Sequence, residues 1–268
     1  MLTKYDFQPF EIKNLIRRGS NNDGGYLIPS DTKADLLISL GLGDDWKFEL
    51  SLVKNNHVPK FIIFDHSQNL SVYVIGLLNR MRPNSFKLMA FIYRFLVLLR
   101  YFRDFTIMRN THVKKRITKE GSSKHAMPQK KGGDINLPQI FNKFVGPENV
   151  SVILKIDIEG SEYEIVEQIL DFSEKITLLI VEFHDIIVRK NEFKKSLDML
   201  KLRYSLIHSH INNYGYVNKD FIPQVCELTF VKKTLFYETS KVDKLPRVGL
   251  DSPSTPSRKD FEMNFIKD

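Results

Sequence analysis

The stretch that decides the fold is "ILKIDIEGSEYEIV", Ile153 to Val166. It begins as a buried strand does, apolar and β-branched, and then sets Lys155, Asp157 and Glu159 at every second position. A strand alternates its faces with a period of two, so this spacing predicts three charges on one face. Charges are rarely buried without partners, and a central strand gains no stability from three of them. From Ser161 to Leu170 the pattern changes to Ile165, Val166, Ile169 and Leu170, the spacing of a helix face. Glu162 and Glu164 fall in its first turns, where acids suit the helix dipole, and are given no other task. A second apolar run, "ITLLIVEFHD" (Ile176–Asp185), again ends in charge. Strand, helix and strand joined by short connections predict a parallel sheet covered by helices.

Outward from this unit, "ADLLISLGLGDDWKFE" (Ala34–Glu49) reads as a strand, a glycine turn and the start of a helix. "KFIIFDHS" (Lys60–Ser67) reads as a short strand ending in an acid. Beyond the central unit come a helix in "NEFKKSLDMLKL" and strands in "RYSLIHSH" and "QVCELTFVKK". No helix pattern separates those two strands, so they are expected to pair antiparallel. A single α/β domain over residues 1–268 follows, with an insertion at about 70–130 and an extended tail from Glu238 that carries "DSPSTPSRKD".

Composition narrows the class. The chain is 42% hydrophobic and 27% charged, as soluble globular proteins are. Its single cysteine, Cys226, excludes an internal disulfide framework and a cysteine zinc site, and fits a reducing, cytoplasmic setting. The N-terminal residues contain no continuous apolar run, so a cleaved signal peptide is not expected. The net charge of +8 points to an acidic partner or to a Lys-rich solubilising surface. Much of it sits in "HVKKRITKEGSSKHAMPQKKGG" (His112–Gly133), which lacks the interleaved aromatics of RNA-binding signatures and so argues against nucleic acid. Asn84–Phe102 is strongly apolar but interrupted by Lys87, Arg94 and Arg100, too charged for a membrane span. It is expected to be a helix buried under the basic loop; a cap over a pocket and a peripheral, membrane-facing helix are the alternatives.

The chemistry is expected at the strand ends. In an open parallel sheet, ligands bind beyond the carboxyl ends of the strands. Gly41 and Gly43 after the first parallel strand let backbone approach a ligand, and Asp65 after the second stands where a nucleotide-type fold binds ribose hydroxyls. "NDGGY" (Asn22–Tyr26) is a hairpin turn or a loop folded over a cofactor, with the turn favoured. Asp157 with Glu159, and Glu182 with His184, are i, i+2 pairs that could converge. Such a group can remove a proton from a hydroxyl, or hold a hard cation such as Mg²⁺ with Asp157 and Glu182 as candidate ligands. The alternative is a structural ion network with Lys155 paired to Glu159 or Glu182. In "HSHINNYG", His210 and Asn213 are candidates for the same crevice.

"LKIDIEGSEYEIV" followed by "LLIVEFHD" resembles the core of FkbM-type methyltransferases, which use S-adenosylmethionine for O-methylation. The likeness extends to "NDGGYLIP", "LISLGLGDDWKFE", "HINNYG", "CELTF" and "LDSPSTP", and leaves out the insertion. It implies a class I methyltransferase (Rossmann-like) fold, a mostly parallel seven-stranded sheet with an antiparallel C-terminal strand. It also implies a cofactor set of Asp23, Gly24, Gly25, Tyr26, Gly41, Gly43, Asp44, Asp65 and His66. Asp157, Glu159, Glu182 and His184 would face the transferring methyl, with His184 or Asp157 as base. The first glycine motif is shorter here than the family's fuller E-x-G-x-G-x-G. The implied acceptor is a hydroxyl of a polysaccharide, glycolipid or nucleotide-sugar precursor, anionic or near a membrane. The other readings open at this point are an RNA methyltransferase and a non-catalytic scaffold that keeps the fold.

Overall fold

The computed structural model describes residues 1–42, 45–66, 85–107, 111–119 and 133–266. A hairpin of β1 (Leu15–Gly19) and β2 (Gly25–Pro29) leads into β3 (Leu36–Leu40), α1 (Lys47–Lys54) and β4 (Phe61–Phe64). Then come α2 (Ser85–Phe102), β5 (Thr111–Val113), and the short strands β6 (Arg116–Ile117) and β7 (Asp134–Ile135). The central unit is α3 (Leu137–Phe144), β8 (Val152–Ile156), α4 (Glu162–Asp171) and β9 (Ile176–Phe183). It is followed by α5 (Lys190–Arg203), β10 (Tyr204–Ile211), β11 (Cys226–Lys232) and the small pair β12 (Lys244–Leu245) and β13 (Met263–Asn264).

Seven strands form one sheet in the order β10-β11-β9-β8-β3-β4-β5. The pairs β9–β8, β8–β3, β3–β4 and β4–β5 are parallel, and β11 runs antiparallel to both its neighbours. The chain leaves β3 in one direction along the sheet and returns to β8 on its other side. The switch therefore falls between β3 and β8, the place where such sheets open a crevice.

The two faces bury separate cores. Val152, Leu154 and Ile156 of β8 pack with α3, α4 and α5, while Ile153 packs on the other face with α1 and the β1–β2 hairpin. Each such side chain taken fully out of water contributes about 1.5–3 kcal/mol. Lys155 shares the face of Ile153 and is buried there. Its ammonium lies 3.5 Å from Glu49 of α1 and 5.4 Å from the Tyr26 ring centroid. Glu49 also accepts the Ser39 hydroxyl at 2.7 Å. The alternative pairing of Lys155 with Glu159 or Glu182 is thus corrected: the charge is neutralised from the α1 side, inside the core.

Helix α2 differs from expectation as well. Val97 is buried, the Arg100 guanidinium stacks on Trp46 at 4.5 Å, and the Tyr101 hydroxyl meets His112 at 2.7 Å. Ile92, Leu96, Leu99 and Phe102 instead face solvent. The segment is a helix laid on the body by one side rather than buried all round; most of the basic loop expected to cover it lies outside the described residues.

Candidate active site

Backbone geometry at the switch point sets the site. The Asp157 amide donates to the Leu40 carbonyl at 2.8 Å, so the end of β8 is tied directly to the end of β3. Gly41 follows at φ +94°, and a Cβ there would collide with the Asp157 carbonyl oxygen. Only glycine satisfies both the left-handed backbone and the close approach. Asp65, just past β4, accepts the Leu42 amide at 2.8 Å, which fixes its carboxylate at the mouth of the crevice. The cleft is lined by Gly41, Asp65, His66, Lys115, Arg116 and Asp157 among others. A larger cavity of about 450 Å³ lies at the opposite end of the sheet, around Thr32, Thr177 and Phe236. Size does not locate the site here; the convergence of titratable groups does.

Strand β8 stops at Ile156, and the row of charges breaks with it. Asp157 sits just beyond the strand end, and Glu159 adopts φ +54° in the following turn with its side chain 85% exposed. The i, i+2 reading holds better for β9: Glu182 is on the strand and His184 continues beyond it. His184 is the hub. Its Nε2 lies 3.9 Å from Asp157, 3.9 Å from Glu182 and 3.5 Å from Glu159. Its Nδ1 meets Glu162 Oε1 at 3.0 Å. Burial works against a charged ring, but the Glu162 hydrogen bond and the surrounding acids outweigh it and hold His184 up at about 9. Burial also lifts Asp157 to about 6, against the pull of Lys155 and His184. At neutral pH the pair is therefore a carboxylate facing an imidazolium.

Glu162 was assigned no role beyond a helix start, and this is the main correction at the site. It is buried, and its Oε1 also accepts the amides of Ile158 at 3.2 Å and Gly160 at 3.1 Å. One carboxylate thus orients His184 and holds the turn that carries Asp157 and Glu159. The signal available in the sequence was its place four residues after Ile158, in reach of a turn's amides. Tyr163 donates its hydroxyl to the His184 carbonyl, and Arg189 stacks on the Tyr163 ring at 3.9 Å while its guanidinium donates to the Gly160 carbonyl at 2.6 Å.

A second group of acids lies alongside. Glu182 and Glu227 face each other across β9 and β11, and with Asp23 their oxygens lie within 4.8 Å of one another. Burial, then repulsion from Asp157, Glu227 and Asp23, pushes the Glu182 carboxyl well above its usual range. Asn212 donates to it at 2.9 Å. Asp157, Glu159 and His184 form the other set of donors close enough to hold a cation.

Other expected residues lie elsewhere. "NDGGY" spans the β1–β2 hairpin turn, with Gly24 at φ +75° and Asp23 at the rim of the acids. Gly25 and Tyr26 belong to β2; Tyr26 is a core residue packed on Phe48, not a cleft residue. Gly43 and Asp44 lie outside the described residues. His210 and Asn213 are corrected: both are buried beneath the C-terminal segment. His210 is held between Glu227 at 3.4 Å and Asp260 at 3.2 Å. Asn213 donates to Thr255 at 3.0 Å and accepts from its amide at 2.7 Å. They clamp the tail and do not line the opening.

The strand order, the single reversed strand β11 and a glycine turn opposite an acid at the switch point define a class I methyltransferase fold. Residues 103–217, a little under half of the chain, match the family model described as the methyltransferase FkbM domain. That segment contains Asp157, Glu162, Glu182 and His184. No curated protein matches the chain. Among solved structures it is similar to M. capricolum TrmK in complex with S-adenosyl-homocysteine, at 12% identity, 75% of this chain, 64% of that one and a TM-score of 0.37. Streptococcus pneumoniae Sp1610 in complex with S-adenosyl-L-methionine shows 9% identity over 75% of this chain and 67% of that one, with a TM-score of 0.37. The B. subtilis m1A22 tRNA methyltransferase TrmK shows 13% identity over 75% and 61%, with a TM-score of 0.33. The chain spans about two thirds or less of the length of these structures.

Proposed function

We propose that the protein transfers the methyl group of S-adenosylmethionine to a hydroxyl of a saccharide, glycolipid or nucleotide-sugar precursor at the cytoplasmic side. The observation that carries this reading is the Asp157–His184 pair at the end of β8, 3.9 Å apart, beside the Gly41 turn. The cleft suits the cofactor: Gly41 presents bare backbone, and Asp65 offers a fixed carboxylate for the ribose hydroxyls. His66 lines the same mouth. Bound there, S-adenosylmethionine supplies an electrophilic methyl on a sulfonium.

Asp157 acts as base. The acceptor oxygen forms its bond to the methyl carbon as the carbon–sulfur bond breaks, and the hydroxyl proton passes to the Asp157 carboxylate. His184, charged at neutral pH, keeps Asp157 ionised and orients it. Glu159 and Glu182 position the acceptor hydroxyls. The alternative use of these donors is a hard cation on Asp157 and Glu182 or on Asp157, Glu159 and His184, which requires His184 to give up its proton.

The acceptor side favours a polyhydroxyl ligand. Asp157 and the exposed Glu159 make its open rim acidic, which repels a phosphate backbone while offering acceptors to sugar hydroxyls. RNA is the second reading, favoured by Lys115 and Arg116 on the cleft wall. The deciding assay offers radiolabelled S-adenosylmethionine with a panel of saccharides and with RNA. Label is expected in saccharide, and Asp157→Asn is expected to lower turnover by about 10²–10⁴-fold. Label in RNA, or full turnover in that variant, overturns the proposal.

A further inference from the structure

The β1–β2 hairpin, the reversed strand β11 and the C-terminal segment meet at a group of acids that methyl transfer does not require as a group. Glu182 of β9 and Glu227 of β11 stand directly opposite each other in the antiparallel register, and they are only 5% and 6% exposed. Like charges opposed across two strands are destabilising, and burial raises the cost. Asp23 at the hairpin turn adds a third carboxylate, and one oxygen from each acid lies within 4.8 Å of the other two. Oxygens on opposite sides of an ion at about 2.1–2.5 Å stand about 4–5 Å apart, so a single cation can touch all three. Lys155 on the neighbouring strand is turned to another task, with its ammonium 3.5 Å from Glu49 on the core side.

The surroundings hold these acids in place. Asn212 donates to Glu182 at 2.9 Å, and its own Oδ1 is fixed by the Tyr214 amide at 3.0 Å. The Asp23 amide donates to the Ser254 carbonyl at 3.2 Å, which ties the turn to the C-terminal segment. His210 gives an independent sign of a missing partner. Its ring is 3% exposed and its Nε2 meets Asp260 at 3.2 Å. Its Nδ1 is aimed at Glu227 Oε2 from 3.4 Å, yet makes no hydrogen bond among the described residues. Carboxylates that bind a cation are commonly oriented by such outer partners, themselves anchored by a further carboxylate. Asp23, the exposed member of the three, gives an ion its path from solvent.

We propose that Asp23, Glu182 and Glu227 bind one hard divalent cation, Mg²⁺ or Mn²⁺, with Asn212 and His210 as outer supports. Oxygen donors alone suit such an ion. The site leaves Asp157 free for the acceptor proton. Ion binding requires neither cofactor nor acceptor, so it stands or falls apart from the proposed methyl transfer. The test is a calorimetric titration of Mn²⁺ into the full chain, stripped with a chelator and dialysed, and repeated with Mg²⁺. One saturable site per chain is expected, with a melting temperature that rises with Mn²⁺ concentration. Glu227→Gln should weaken Mn²⁺ binding at least tenfold; Asp23→Asn, at an exposed position, serves if that variant does not fold, with a loss in the same direction. Glu159→Gln, in the other set of donors, should bind Mn²⁺ as the parent does. Absence of saturable binding overturns the proposal and leaves the three acids to share protons. Equal binding by a folded Glu227→Gln or Asp23→Asn also overturns it. A loss confined to Glu159→Gln overturns it in favour of Asp157, Glu159 and His184.

Discussion

Replacing Glu162 by Gln removes one charge and almost no volume, and it isolates the device that sets the site. In the wild type, Glu162 Oε1 receives His184 Nδ1 at 3.0 Å together with two turn amides. His184 titrates at about 9 against an ordinary 6.5. That rise of about 2.5 pH units corresponds to about 3 kcal/mol favouring the charged ring, at about 1.36 kcal/mol per pH unit. Burial opposes the charge, and Glu162 leads the groups that support it. With Gln in its place the leading support is lost while the burial penalty stays, so the His184 midpoint should fall well below about 9, toward its ordinary value. Histidine Cε1 proton shifts followed from pH 5 to 10, with a His184→Asn variant for assignment, read the midpoint directly. The sign in stability follows. A histidine raised in the folded state contributes fully below about 6.5 and loses that contribution as pH rises through about 9. Wild-type stability should therefore fall across this window, and Glu162→Gln should flatten the fall. A His184 midpoint unchanged in the variant would refute the assignment of Glu162.

The remaining predictions concern the frame and the chemistry. Lys155→Met leaves Glu49 buried beside Ser39 without its cation, and should cost about 3–5 kcal/mol in urea unfolding, with Lys155→Met/Glu49→Leu recovering most of it. A single variant within about 1 kcal/mol of wild type would contradict that pairing. Gly41→Ala forces a Cβ into the Asp157 carbonyl at a left-handed φ, so more than about 3 kcal/mol should be lost or no folded protein recovered; an unchanged melt speaks against the geometry at the switch point. Turnover should rise as Asp157 ionises through about 6 and decline as His184 deprotonates through about 9. A single rising limb with no alkaline decline would remove the imidazolium from the account.

The sequence was informative where periodicity was strong. Continuous apolar runs that end in charge placed β8 and β9, helical spacing placed α4, and the missing helix between β10 and β11 announced the reversed strand. The turn at Gly41 and the place of Asp65 were legible because both are local: one needs an absent Cβ, the other the end of a strand. Period-two reading failed at Glu159 because it assumes the strand continues, and β8 ends at Ile156. Lys155 and Glu49 are far apart in sequence, and nothing local says that α1 folds over β8 to pair them. Glu162 was misread for the opposite reason: a good local explanation, an acid in a first helical turn, concealed a tertiary one. His210 and Asn213 looked open because a tail rich in Pro and Ser does not announce what it covers.

The central claim is that the cleft between Gly41, Asp65 and Asp157 takes the S-adenosyl group. Its most direct measurement is a calorimetric titration of S-adenosylhomocysteine into the folded chain, with Asp65→Asn alongside. The account predicts one saturable site in the wild type, and binding at least about tenfold weaker when Asp65, the carboxylate proposed for the ribose, is replaced. No heat of binding at high ligand concentration, or equal affinity in the two proteins, would contradict it.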